Sequence, residues 1–67
     1  MIAYFKIMNG TQVINQLVVE CDSTKQLNDI FHATRKEWAE YMVEMEIDGG
    51  TVSYSHTYAE EVRRGWI

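Results

Sequence analysis

The sequence predicts an α+β domain, a two-layer ββαββ sandwich in which a four-stranded antiparallel sheet carries one long helix on one face. Three observations carry this expectation. The middle of the chain repeats its apolar residues at helical spacing from Leu27 to Met42. A strict period of two follows, from Val43 to Tyr58. At the start of the chain, Asn9-Gly10 separates two apolar stretches rich in aromatic and β-branched residues. With 67 residues, the chain forms one domain, 1–67. A chain this short buries only about 60% of the surface it exposes when unfolded, so its core is thin.

The first strand is Met1 to Met8 and the second runs from Val13 to Val19. Asn-Gly supplies the positive φ angles that a two-residue hairpin turn requires. The register of this hairpin stays open. A two-residue turn at Asn9-Gly10 pairs Ile7 with Gln12 and Phe5 with Ile14, whereas a three-residue loop pairs Ile7 with Val13 and Ala3 with Leu17. A slip of one residue exchanges the faces of a strand, and both registers leave apolar side chains on both faces. Such a hairpin is either a small sheet tolerating a few exposed apolar groups or a surface covered by another chain. Tyr4, Ile14 and Val18 are the candidate contact residues on it.

The helix starts at Asp22-Ser23-Thr24-Lys25-Gln26, where Ser23 and Gln26 have the spacing of a capping box. It is predicted from Thr24 to Met42, burying Leu27, Ile30, Phe31, Trp38 and Met42. Beyond it, Val43, Met45 and Ile47 alternate with Glu44, Glu46 and Asp48, and Asp48-Gly49-Gly50 makes a turn. Val52, Tyr54, His56 and Tyr58 then alternate with Thr51, Ser53, Ser55 and Thr57. This is a half-buried hairpin with one apolar and one polar face. Ala59 to Arg64 has room for one or two helical turns, stopped by Gly65. The strand order is not legible.

No catalytic or cofactor motif is present. Cys21, the single cysteine, precedes a helix start, where a thiol can acidify. No signature of a cysteine enzyme surrounds it, and a buried hydrophobe is the ordinary role. His32, His56 and Cys21 are scattered and lack the close spacing of metal ligands. We therefore expect no catalytic residue, no metal and no cofactor. Six Lys plus Arg against ten Asp plus Glu give a net charge of −4, which repels phosphates and disfavours direct nucleic-acid binding. No apolar run approaches the roughly 20 residues of a membrane span. With no export signal legible, the expected compartment is the host-cell cytosol.

The carboxylates form the most distinctive pattern. Glu44, Glu46 and Asp48 should project from one face of the third strand, with Glu40 close in sequence and hydroxyls on the neighbouring strand. This plane is either a solvated surface that blocks aggregation or a docking face for a basic partner. Trp66, one residue from the end of the sequence, either packs back or anchors an interface. The partner-binding candidates are thus Glu40, Glu44, Glu46, Asp48, Tyr4, Ile14, Val18 and Trp66.

Two functions from different classes fit. One is a non-enzymatic protein-binding module, with a homodimer as a further possibility. The other is a small enzyme or enzyme subunit whose site forms between chains, because so small a chain has little room for a pocket of its own. In size, acidity and ββαββ layout the chain resembles small inhibitor proteins of bacteriophages and other mobile elements, including some anti-CRISPR proteins. The resemblance rests on no motif and transfers no functional residue. It implies a bacterial host cytosol, a larger protein partner with a basic surface, and inhibition by occluding that surface.

Overall fold

A computed structural model describes all 67 residues. The chain order is β1 (Ile2–Asn9), β2 (Gln12–Glu20), α1 (Thr24–Glu37), β3 (Met42–Ile47), β4 (Gly50–Ser53) and α2 (Tyr58–Arg63). The four strands make one antiparallel sheet in the order β2-β1-β3-β4, with α1 packed on one face and α2 beside α1. This is the α+β sandwich that the sequence predicts, closed by the short terminal helix.

The first hairpin takes neither expected register. Asn9 faces Gln12, so the turn residues are Gly10 and Thr11. Gly10 has φ 64° while Thr11 stays at negative φ, the arrangement of a turn with glycine first. Met8 then faces Val13, but Ile7 faces Asn15, leaving Ile14 as the extra residue of a bulge. The bulge resolves a conflict in the sequence. Uninterrupted pairing from the turn would put Gln16 and Val18 on the helix side. The extra residue shifts the phase, so Leu17 and Val19 face the helix beside Phe5 and Ala3.

The core lies between the sheet and α1. Ala3, Phe5 and Ile7 of β1 are 0% exposed and pack with Val43 and Met45 of β3, Leu27 and Phe31 of α1, and Cys21. Phe31 meets Phe5 edge-on at 5.6 Å and stacks on Tyr54 at 6.0 Å. Such paired rings add to plain area burial. Cys21 is a buried member of this core and donates its backbone N–H to Met1 O.

The helix is shorter than predicted. Ser23 accepts from Gln26 N–H at 3.1 Å, and Gln26 reaches back to Asp22 N–H at 2.7 Å, so the capping signal is real. The helix nevertheless stops at Glu37, with Trp38 as its C-cap. Met42, expected on its buried face, begins β3 and faces Met8. The helical period runs on because Trp38 and Tyr41, edge-on at 6.1 Å, both pack against the core at and beyond the helix end, and Met42 is claimed by the ladder with β1. Tertiary pairing overrides helical propensity here. Ile30 and Trp38 are half-buried at the margin of the core.

The last predicted strand is shorter too. β4 covers only Gly50–Ser53, and Tyr54, His56 and Tyr58 leave the sheet despite their alternation. Asp48 and Gly49, with φ 51° and 78°, form the turn that joins β3 to β4. Thr57 caps α2 by accepting from Glu60 N–H, and Gly65 at φ 73° ends it, with Trp66 N–H returning to Glu61 O at 2.9 Å.

Candidate functional site

One face of the sheet carries the helices; the other carries nothing. The side chains on that open face follow from the register. Ile2, Tyr4, Lys6 and Met8 of β1 share it with Val13, Gln16, Val18 and Glu20 of β2, Met42, Glu44 and Glu46 of β3, and Thr51 and Ser53 of β4. Two rows cross the whole sheet. One reads Val18, Tyr4, Glu46, Thr51; the next reads Gln16, Lys6, Glu44, Ser53.

The face divides into two halves. On β1 and β2 it is mainly apolar, with Ile2, Tyr4, Val13 and Val18 all exposed and Val18 the most so at 71%. Toward β3 and β4 it is acidic and hydroxyl-bearing. Glu44 stands opposite Lys6, the one cation of the face, and Glu46 opposite Tyr4, while Glu20 lies across the sheet on β2, opposite Ile2. Tyr4, Lys6, Glu44, Glu46 and Thr51 line a shallow depression of about 160 Å³, the one concavity of the molecule. That is about half the volume of the smallest usual small-molecule pockets, and it is floored by a flat sheet.

The structure therefore brings together Tyr4, Val18, Glu44 and Glu46 of the sequence candidates, with Ile14 exposed at the bulge beside them. Three others lie elsewhere. Asp48 does not continue the acidic row of β3; it occupies the turn, because a two-residue turn there needs positive φ and Asp tolerates it. Glu40 follows the end of α1 and pairs with Arg63 of α2 at 3.3 Å. Trp66 lies edge-on to His56 at 4.9 Å on the helical side, 55% exposed, with the Arg64 guanidinium 5.3 Å from its ring.

A second cluster, not foreseen from the sequence, ties the helical layer together. Arg35 of α1 is 5% exposed. Its guanidinium lies 3.8 Å from the centre of the Tyr54 ring, pairs with Glu61 at 3.1 Å and donates to His56 O at 3.3 Å. The other Glu61 oxygen meets His56 Nε2 at 2.9 Å. The hydrogen bond with His56, helped by the Arg35 charge, holds the Glu61 carboxyl below its ordinary pKa although partial burial acts the other way. Neither Arg35 nor Glu61 is among the candidate site residues that the sequence offers. The signal available was an Arg on the buried side of an amphipathic helix, which demands a partner.

This cluster has the order hydroxyl, imidazole, carboxylate, since Ser55 Oγ lies 3.4 Å from His56 Nδ1. That contact is longer than the roughly 2.6–3.2 Å of an engaged nucleophile and base. Glu61 is shared with Arg35, and the molecule's concavity is on the opposite face of the sheet. The cluster reads as a structural clamp of α2 and the preceding loop onto α1. No group of three or more His, Cys, Asp or Glu side chains is arranged to hold a metal ion. No helix is long and apolar enough to cross a membrane. No family model, curated protein or solved structure matches the chain.

Proposed function

We propose that this chain is a small, non-enzymatic protein-binding module that docks its open sheet face on a basic surface of a larger protein and occludes it. The carrying observation is the composition of that face. An entire side of the sheet is uncovered, its apolar half exposes Tyr4 and Val18, its other half carries Glu44 and Glu46, and with Glu20 on β2 the face holds three carboxylates against one cation, Lys6. Exposed apolar area supplies burial on contact, while the carboxylates steer encounter and select a cationic partner. The depression of about 160 Å³ is small for a substrate, which favours a docking surface over an enzyme.

The resemblance to phage and mobile-element inhibitors fits this reading. It makes the partner a bacterial protein or complex whose basic surface otherwise holds nucleic acid, with the acidic face standing in for phosphates. The test uses the native chain and the Glu20→Gln/Glu44→Gln/Glu46→Gln variant as baits for bacterial nucleic-acid-binding proteins. Each captured protein is then titrated at low and high salt. The reading expects tight binding by the native chain that weakens with salt, and weaker, salt-insensitive binding by the variant. Equal affinity and salt dependence for both would remove it.

A further inference from the structure

The sheet has two edges, and they are treated differently. β4 is four residues long and ends where Tyr54 is drawn away to stack on Phe31. β2 is nine residues long, and neither helix nor loop covers its outer side. It contains no Lys, Arg or Pro, and its one ionisable residue is Glu20. Natural sheets blunt long edges with charge, proline or cover, because an open row of N–H and C=O groups is a template for another strand. Here the bulge at Ile14 disturbs only the turn end, so 15–20 form a regular stretch.

The direction of each backbone group along this stretch follows from one bond. Cys21 N–H donates to Met1 O, so Cys21 points its backbone groups inward. Antiparallel ladders alternate, which turns Val19, Leu17 and Asn15 inward toward β1 and Glu20, Val18 and Gln16 outward. A second bond agrees. Gln16 N–H has no partner on β1 and is held instead by Asn15 Oδ1 at 2.9 Å. Three residues thus present free carbonyls outward, and Val18 and Glu20 present free N–H groups as well.

We propose that two copies of this chain pair antiparallel along β2, about a two-fold axis through Val18, joining their four-stranded sheets into one of eight strands. Val18 is the middle of the three outward residues, so centring the axis there uses all of them. Val18 faces its own symmetry mate, and Glu20 faces the mate of Gln16. Val18 N–H and Glu20 N–H of each copy then donate to Val18 O and Gln16 O of the other, and Asn15 keeps its bond to Gln16.

The side chains agree with this register. On the helix side, Leu17 faces the mate of Val19, and both are half-buried at the margin of the core, ready for cover. On the open side, the 71%-exposed Val18 meets its mate between the two Tyr4 rings. No like charges stand opposite each other, since Glu20 meets a glutamine. A strand of another protein is the competing occupant of the edge, but the self-pairing is complementary without one. This proposal does not rest on the basic-partner reading. Salt separates the two, because screening relieves repulsion between copies carrying −4 each and strengthens self-association, while it weakens docking on a basic surface.

Sedimentation equilibrium of the native chain over a wide concentration range is the first measurement. We expect a mass rising toward twice 7.8 kDa, reached at lower concentration in higher salt. Val18→Lys opposes two ammonium groups at the axis while leaving the core intact, and it should hold the mass at one chain. Under mild oxidation Val18→Cys should cross-link with itself, because directly opposed residues of a hydrogen-bonded pair lie about 5.5 Å apart between Cα atoms, within disulfide range. Gln16→Cys should not, and the native Cys21 is buried. Hydrogen exchange needs no substitution: Val18 and Glu20 amides should be protected at dimer concentrations and exchange fast on dilution, with Leu17 and Val19 slow throughout. A mass of one chain at every concentration overturns the proposal. So does a dimer that Val18→Lys leaves intact, or one in which the Val18 amide exchanges freely.

Discussion

The two hairpins are each closed by a two-residue turn, yet they have opposite relations to the core. β1, from the first hairpin, is paired on both sides and supplies three residues with no exposure at all. Its partner β2 is long and bare along its outer edge. In the second hairpin β3 buries Val43 and Met45, while every residue of β4 is exposed. The hairpin with the cleaner alternation is therefore the one whose outer strand contributes least. Alternation reports that a strand has one dry face; it does not report how central the strand is. Apolar residues on both faces of β1 and β2 mark something else, a sheet whose second face is left uncovered.

Phe5 meets β2, β3 and α1 at once, through Leu17, Met45 and Phe31. Phe5→Ala should cost about 3–5 kcal/mol, the range for a fully buried aromatic, enough to unfold most copies of so small a domain. Val52→Ala, on the exposed β4, should cost less than about 0.5 kcal/mol. Parallel thermal melts of the two variants measure the difference, and equal losses would mean that the two hairpins share the core evenly. Trp38→Ala should fall between them, because Trp38 is half-buried at the helix end and not at the centre of its packed face.

Much of this organisation was legible beforehand. The ββαββ order, the capped start of α1, the glycine-stopped α2 and the acidic alternation of Glu44 and Glu46 each come from short-range chemistry that a few neighbouring residues decide. What was not legible depends on partners distant in sequence. Helical spacing cannot show that Met42 will be claimed by Met8, and alternation cannot show that Tyr54 will be drawn off the sheet by Phe31 and Arg35. The bulge at Ile14 reconciles a hairpin turn with a core pattern out of phase with it, so neither signal alone predicts it. On the candidate site, the sequence singled out Tyr4, Val18, Glu44 and Glu46 but neither Lys6 nor Glu20, and not that these share one face, because the strand order fixes that.

The loop and helix after β4 extend the comparison to pH. Glu61 holds Arg35 and His56 together, and its pKa is lowered in the folded chain. A carboxyl whose folded pKa is below its unfolded value contributes stability above the unfolded value and loses it as pH falls through the folded one. Acid should therefore loosen the segment after β4 before it disturbs the first hairpin. Hydrogen exchange of α2 amides against β1 amides across the acid range reads this directly, and Glu61→Gln should abolish that share of the pH dependence while lowering stability near neutrality. Parallel loss of protection in both regions would show that the clamp is not a separate unit.

The turns differ by a smaller amount. Gly10 alone takes positive φ in the first, whereas Asp48 and Gly49 both do in the second. An Ala at Gly10 or at Gly49 meets no neighbouring atom within 4 Å, so each substitution isolates the backbone term, about 1–2 kcal/mol for a left-handed residue bearing a Cβ. Denaturant melts of Gly10→Ala and Gly49→Ala should show similar losses with unchanged slopes. A much larger loss at Gly10 would mean that the first turn, and not the bulge, sets the register of β2.

The smallest effect on stability, and the most informative about the open face, is expected from Glu20→Gln/Glu44→Gln/Glu46→Gln. None of these carboxylates has an ion-pair partner in the fold, and Glu44 and Glu46 stand two residues apart on one strand with Lys6 opposite only the first. Neutralising all three removes like-charge repulsion and no buried contact, so the melt should stay within about 0.5 kcal/mol of the native chain or rise slightly. An appreciable loss would mean that the carboxylates serve the fold and would return the acidic half of the face to structure alone. An unchanged or raised melt leaves them without a folding role. They are then either a solvated surface or a docking face, and the salt dependence of partner binding separates the two.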